Sequence, residues 1–403
     1  MKKIFILAAA ALTVLAACTK IETVESTVET PISFSVLNHL QRTKAQVLPF
    51  TGTEYPTGVS FGTYAWWTSD TWANTANDNK LQFIFMNNEE ISHSEATATE
   101  AAKWAPATTY YWTKTGYITF ASYSPYVNST TAASKGFSAV PTYSVTNGFT
   151  FPDYTVVGNS NVDLMYADLA ASCTKTTNAN GNSVLDGTTG DNGTDHGYAG
   201  VPTIFNHALC QVGFAFRCVG TKNPNVTEIK VVVTDVDIKN ISKKGSFTQN
   251  NTPKWVAADR TVADNVADYD FDPATDLELT MIDKLVADAY STEEAAASYS
   301  AIAEKRILLP QTLLNTPADT DQKVTIAYTI KIKYDSDPDN YATEYVTSTV
   351  NLYTAGLTTW SDNQNITYRI TINPYSDVPV TFDPAIVSWT DVYSYPDPIV
   401  PED

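Results

Sequence analysis

The residues able to do chemistry are few and scattered. Four histidines occur, His39, His93, His196 and His207, and no two lie at metal-ligand spacing. His207 alternates with apolar residues, so a hydrogen-bonded strand histidine is expected rather than a base. The sequence carries no G-x-S-x-G elbow, no H-E-x-x-H, no P-loop and no G-x-G-x-x-G after a strand. Asp186, Asp191, Asn192, Gly193 and Asp195 supply oxygen ligands without EF-hand spacing, which reads as a solvated loop. Asp235 and Asp237 share one strand face, as exposed alternation does. Trp66, Trp67, Trp104, Tyr111 and Trp112 could stack on sugars, but their strand-like alternation places them in a core. No catalytic residue, metal or cofactor is expected.

One cysteine has a context of its own. Lys2 and Lys3 precede an apolar run over residues 4–17, and Leu15, Ala16 and Ala17 lead directly to Cys18. A positive tip, a short apolar stretch and small residues before a break mark a secretory signal. The run is shorter than the roughly 20 apolar residues a membrane helix needs. The Leu-Ala-Ala-Cys sequence resembles the bacterial lipobox, in which cleavage precedes the cysteine and its thiol takes a diacylglycerol. Cys18 is therefore the expected lipidation site of a lipoprotein that works outside the cytoplasm, in a Gram-negative-type envelope.

Composition bounds the partners and the fold. The chain has 403 residues and a formal net charge of −19. Such a surface repels nucleic acid and anionic lipid. Tyr (23), Trp (8), Thr and Val favour pleated, half-buried surfaces, so β structure should dominate. Beyond Cys18, only Cys173, Cys210 and Cys218 remain, an odd count with no disulfide framework. Cys210 and Cys218 fall in one apparent strand over 205–219, roughly 26 Å apart, too far to bridge.

Periodicity organises the rest. A signal peptide (1–17) and a polar tether (18–31) precede an alternating strand with Ile32, Phe34 and Val36 on one face. Arg42 and Lys44 stand in a polar stretch, either a trypsin-like cleavage site or a solvated turn. Strands are expected over 59–67, 81–86 and 117–123. The low-complexity stretch 174–200 cannot bury a core and should be a loop. It divides an N-terminal domain (32–199) from a C-terminal one (200–375). The second half has strands near 229–238, 323–333, 344–353 and 365–374. Its one expected helix follows a capping-box spacing at Ser291 and Glu294 and runs into the Ala-rich stretch 295–303. The pattern is mainly all-β, two β-sandwich domains in series with one short helix.

The segment 376–403 ends the chain as given. Val378, Val380 and Phe382 alternate, then the apolar phase shifts after Pro384 to Ala385, Val387 and Trp389, which suggests two strand pieces joined at a kink. Two readings share this pattern. One is a closing strand of the second domain. The other is a donor strand for a second subunit's sheet. Roughly five buried large side chains would contribute on the order of 10 kcal/mol before ordering costs.

Taken in order, several pieces resemble the fimbrillin family, the lipoprotein-derived subunits of type V pili. They are Cys18, then Ile32 to Val36 with Arg42 and Lys44, then Tyr110, Tyr111 and Trp112 leading to Gly116 and Phe120. Asp163 to Ala167, Phe205 to Leu209, and Leu309, Pro310 and Gln311 follow. Trp360, Asn363 and Tyr368 to Ile370 lead on to Phe382 and Trp389. The resemblance implies two transthyretin-like antiparallel β-sandwich domains and a lipidated precursor at the outer membrane. A trypsin-like protease, cutting after Arg42 or Lys44, would remove the strand with Ile32, Phe34 and Val36. A neighbouring pilin subunit would fill the groove with Val378, Val380, Phe382, Ile386, Val387 and Trp389, building an adhesive fimbrium. The rival from a different class is a surface glycan-binding lipoprotein of a nutrient-uptake system, with Trp66 and Trp112 as stacking platforms.

Overall fold

The computed structural model describes residues 30–38, 55–157, 162–175, 200–221, 223–271, 273–316, 318–376 and 380–388. The first ten strands are β1 (Phe34–Asn38), β2 (Phe61–Thr68), β3 (Phe83–Ser94), β4 (Lys103–Pro106), β5 (Tyr117–Ser124), β6 (Thr142–Ser144), β7 (Gly148–Thr155), β8 (Met165–Ala167), β9 (Ala170–Cys173) and β10 (Val201–His207). Hydrogen bonding orders them β2-β3-β4-β1-β10-β8-β5, and β5 pairs back with β2. A closed seven-strand barrel results, with β9 added to β5. Closure gives each of the seven barrel strands a partner on both sides, while β9 pairs with β5 alone among the described strands. Its interior is filled by Ile32, Phe34, Phe61, Ile118, Phe120 and Phe205.

The second half supplies β11 (Cys210–Gly220), β12 (Val226–Ser242), β13 (Lys244–Thr248), β14 (Trp255–Ala257), β15 (Val266–Asp270), β16 (Leu277–Asp283), β17 (Ser300–Ala301), β18 (Arg306–Leu308), β19 (Gln311–Thr312), β20 (Lys323–Tyr334), β21 (Asp337–Asn351), β22 (Thr359–Trp360), β23 (Gln364–Ile372) and β24 (Val380–Ser388). The large sheet runs β21-β20-β12-β16-β11-β23-β24, with β15 on β12 and β17 and β18 on β11. Alternation does the packing: Val212, Phe214, Phe216, Ile366, Tyr368 and Ile370 point to one core.

A third sheet, β14-β13-β7-β6, takes strands from both halves of the chain. In its ladder Phe247 faces Phe151 and Gly245 faces Tyr154. The core beneath it mixes Trp66, Tyr123 and Phe151 with Phe247, Trp255 and Leu309. The division expected between residues 199 and 200 precedes β10, whose hydrogen bonds lie within the first barrel.

Three local expectations change. The stretch 205–219 is two strands, because Ala208 and Leu209, both buried, carry the chain from the barrel into the second sheet. Cys210 and Cys218 both lie in β11 and are free thiols. The described residues hold three short α-helices rather than one: α1 (Asn77–Lys80), α2 (Lys284–Ala287) and α3 (Thr292–Ala297). At α3 the capping box forms, with Ser291 Oγ accepting from the Glu294 N–H at 3.2 Å and Glu294 Oε2 accepting from the Ser291 N–H at 2.8 Å. The helix stops short of the full Ala-rich stretch because Ser300 and Ala301 pair with β11.

Candidate functional site

The N-terminal strand is built into the barrel wall. Thr30 accepts from the Trp112 N–H at 3.1 Å, and the Ile32 N–H donates to Tyr110 at 2.8 Å. Further along, Ser33 accepts from the Val201 N–H at 2.8 Å, and β1 continues parallel to β10 from Phe34 opposite Val201 to Asn38 opposite Phe205. On its other side β1 meets β4 at one pair, Phe34 opposite Trp104. Ile32 and Phe34 are 2% and 4% exposed, and Val36 is half-buried against the same core. The Phe34 ring meets Phe61 and Phe120 edge-on, each at 5.7 Å. Gly200 makes the close approach possible: at φ +116° it lies where a Cβ would come within 2.9 Å of the Ser33 carbonyl oxygen.

This geometry has a clear energetic consequence. Burial of Ile32 and Phe34 contributes about 1.5–3 kcal/mol each. Removing β1 would bare the facing edges of β4 and β10 and open the apolar interior between them. Such an edge is a template for another strand.

At the far end of the chain, β24 lies antiparallel to β23 and forms one edge of the second sheet. Val380 is buried, and Phe382 is half-buried with its ring 5.9 Å from Tyr368. Ile386 is 40% exposed and Val387 61%. The kink expected at Pro384 is absent: the register runs without a shift from Val380 opposite Ile372 to Ser388 opposite Gln364. An edge strand tolerates proline because the missing donor can face the unpaired side. The face does not flip either, so Val387 points away from the core that holds Val380 and Phe382. Val378 and Trp389 lie outside the described residues, as do Cys18, Arg42, Lys44 and the loop from Asp186 to Asp195.

Most sequence motifs turn out to be fastenings. Tyr110 and Trp112 hold the entry of β1. His207 is 3% exposed, and its Nδ1 lies 3.0 Å from Asp163 Oδ1. Gln311 Oε1 accepts from the Ser242 N–H at 3.0 Å and from Gln322 Nε2 at 3.2 Å, in a buried amide cluster. Trp360 Nε1 donates to the Tyr368 hydroxyl at 2.9 Å. Trp66 and Trp112, at 4% and 9% exposure, belong to the cores and offer no face to a sugar. Burial pushes the Cys173 and Cys218 thiols up to about 12 and raises Cys210 as well, so all three stay protonated and poor nucleophiles. The aromatic seat around β1, made by Tyr55 and Trp104 on Phe61, went unread because its members are far apart in sequence.

A barrel closed by its first described strand, joined to a sheet edged by its last described strand, makes this a mostly β protein of barrel-like and sandwich-like sheets. The chain belongs to the fimbrillin-like family, whose model matches residues 50–389. Its fold is similar to that of a fimbrial protein from Bacteroides vulgatus ATCC 8482, at 18% identity and a TM-score of 0.54, over 89% of this chain and 99% of that one. Two proteins provisionally assigned to cell adhesion also align. One, from Bacteroides uniformis ATCC 8492, has 14% identity and a TM-score of 0.40 over 89% of this chain and 98% of that one. The other, from Parabacteroides distasonis ATCC 8503, has 13% identity and a TM-score of 0.42 over 90% and 98%. The likeness to the Bacteroides vulgatus protein carries the fold; the other two scores are too low to add to it. No curated protein sequence matches the chain.

Proposed function

We propose that this chain is a fimbrial subunit that joins its neighbours at the cell surface by strand exchange and serves adhesion. Export as a lipoprotein through Cys18 brings the precursor to the outer membrane. Cleavage after Arg42 or Lys44 by a trypsin-like protease then frees the strand with Ile32, Phe34 and Val36. The groove between β4 and β10 receives the segment with Val378, Val380, Phe382, Ile386, Val387 and Trp389 from the next pilin subunit. The role is structural and calls for no cofactor.

The observation that carries this reading is the seat of β1 within a chain of the fimbrillin-like family. The strand buries Ile32 and Phe34, yet it meets β4 at a single residue pair. It is one strand at the start of the described chain, so a cut in the undescribed stretch 39–54 would separate it from the rest of the barrel. The glycan-binding alternative loses its platforms, since Trp66 and Trp112 are core residues.

The test is a gel of surface-sheared material, boiled and unboiled, with the N-terminus of the product sequenced. A ladder that collapses on boiling and begins at Thr43 or Ala45 is expected. A single membrane-bound species that keeps its lipid on Cys18 would overturn polymerisation by cleavage. Removal of residues 376–403 should leave a folded monomer that cannot join a preceding subunit. Unchanged polymers from that truncation would sink the donor segment.

A further inference from the structure

The large sheet of the second half ends in a long open strand. β21 has 15 residues, and β20 is its one neighbour among the described strands. From Ala342 opposite Ile332 to Asn351 opposite Lys323 the ladder runs without a register shift. Such a strand turns every second N–H and C=O outward, in a row that can template another strand. A very short strand, a proline, a lysine or a bulge ordinarily keeps an open edge from pairing. β6 and β14 end the third sheet with three residues each, β9 has four, and β24 carries Pro384. Beyond Pro338, β21 holds no proline and no basic residue.

Opposite residues share a face of the sheet. Val346 and Val350 therefore turn toward the core with Tyr328 and Val324, and pack against it. Thr343, Tyr345, Thr347 and Thr349 line the outer face. Tyr345 is 84% exposed there. The one charge between Tyr341 and Asn351 is Glu344, on the core side opposite Ile330. A single charge does not forbid pairing; it selects the registers in which no like charge lies opposite.

The strand complements itself. Laid antiparallel on a second copy about Val346, it sets Val346 on Val346, Tyr345 on Thr347, Thr343 on Thr349 and Ala342 on Val350. Faces match in every pair, and aromatic–β-branched and Thr–Thr pairs are favourable across strands. Glu344 meets Ser348, so no two charges oppose each other. Centring on Glu344 instead would set two carboxylates face to face. Asp337 and Asp339 of the two copies fall at opposite ends of the joint, away from each other.

We infer that two copies of this chain join edge to edge along β21, antiparallel and centred on Val346. One sheet then runs through both copies, held over residues 341–351 by about ten main-chain hydrogen bonds. The contact is isologous and closes on itself as a pair. It covers Tyr345 and leaves the seat of β1 and the edge at β24 untouched. It is therefore a side-by-side contact, separate from strand exchange, and it needs no cleavage.

Sedimentation velocity on the full, uncleaved 403-residue chain tests the joint, with hydrogen exchange at each concentration. A reversible dimer is expected. The amides of β21 should slow as its population rises, while those of β24 stay as they are. Each chain carries −19, so added salt should strengthen the dimer by screening the repulsion. At fixed salt, Ser348→Glu places a carboxylate opposite Glu344 at two symmetric positions and should abolish the dimer. Ser348→Lys makes two opposite-charge pairs there and should lower Kd by about 2- to 30-fold. Both variants lose the same hydroxyl, so opposite effects cannot come from a damaged fold. Adding Glu344→Lys to Ser348→Glu should restore association. A chain that stays monomeric up to about 1 mM would overturn the proposal. Dimers that ignore both changes at Ser348, or that protect β24 in place of β21, would overturn it too. The gel of sheared material decides strand exchange independently of every one of these results.

Discussion

Phe34 shows how much one side chain carries. It sits on the strand that closes the barrel, and its ring touches Phe61 and Phe120. Phe34→Ala should destabilise the chain by about 3–5 kcal/mol, since the edges of β4 and β10 cannot collapse into the space left. Urea unfolding followed by tryptophan fluorescence checks this; a loss under 1 kcal/mol would mean β1 is not an integral wall of the core. The alternation of Ile32, Phe34 and Val36 was legible in the sequence because period two is a local property. Their seat was not, because Trp104, Tyr55 and Val201 come from distant segments. Buried His207 was legible as a strand histidine, while Asp163, 44 positions away, was visible only as part of a family pattern.

Elements at the sheet edges set how the chain meets its surroundings. β24 has one neighbour and presents Pro384 within an unbroken ladder. A missing donor on a free edge discourages further pairing. Pro384→Val should keep the fold and increase self-association, read as faster sedimentation at equal concentration. An unchanged sedimentation profile would show that Pro384 does not guard the edge. The apolar residues around Pro384 suggested a phase shift because Ala385 and Val387 sit in the odd positions. In the folded chain those positions face outward, and the proline causes no slip. The capping box before α3 was readable to the residue, since Ser291 and Glu294 contact each other across a single turn. The end of that helix was not, because pairing of Ser300 with Phe216 decides it.

For the whole molecule, the third sheet joins the two halves. Phe247, from the second half, stacks on Phe151 at 5.0 Å and meets Tyr166 and Trp255, both at 5.3 Å. Phe247→Ala should cost about 3–5 kcal/mol and speed hydrogen exchange in β7 as much as in β13. Faster exchange confined to β13 would mean that the halves unfold independently. Alkaline pH acts on the whole chain as well. Burial raises Tyr64, Tyr143 and Tyr269 from 10.0 to about 12, and Tyr123 and Tyr368 rise further. The buried thiols of Cys173 and Cys218 rise from 9.0 to about 12. A folded pKa above the unfolded one means the unfolded chain sheds its protons first. The stabilisation is complete below about pH 9 and declines as pH climbs toward 12. Thermal unfolding from pH 8 to 11 should show a falling Tm that begins near pH 9; a flat profile would refute the burial of these groups.

By itself the sequence determined what depends on near neighbours: the β-rich class, the alternating faces of β1, β20 and β23, the helix cap at Ser291, and the separation of Cys210 from Cys218. Side-chain period, turn chemistry and composition act over a few residues, and that is the range a single sequence displays. Tertiary structure alone decided the closed barrel, the parallel seat of β1 beside β10 and the sheet shared by the two halves. Each of these rests on contacts between segments tens to hundreds of residues apart. Only the burial of apolar area across all of them selects which segments meet.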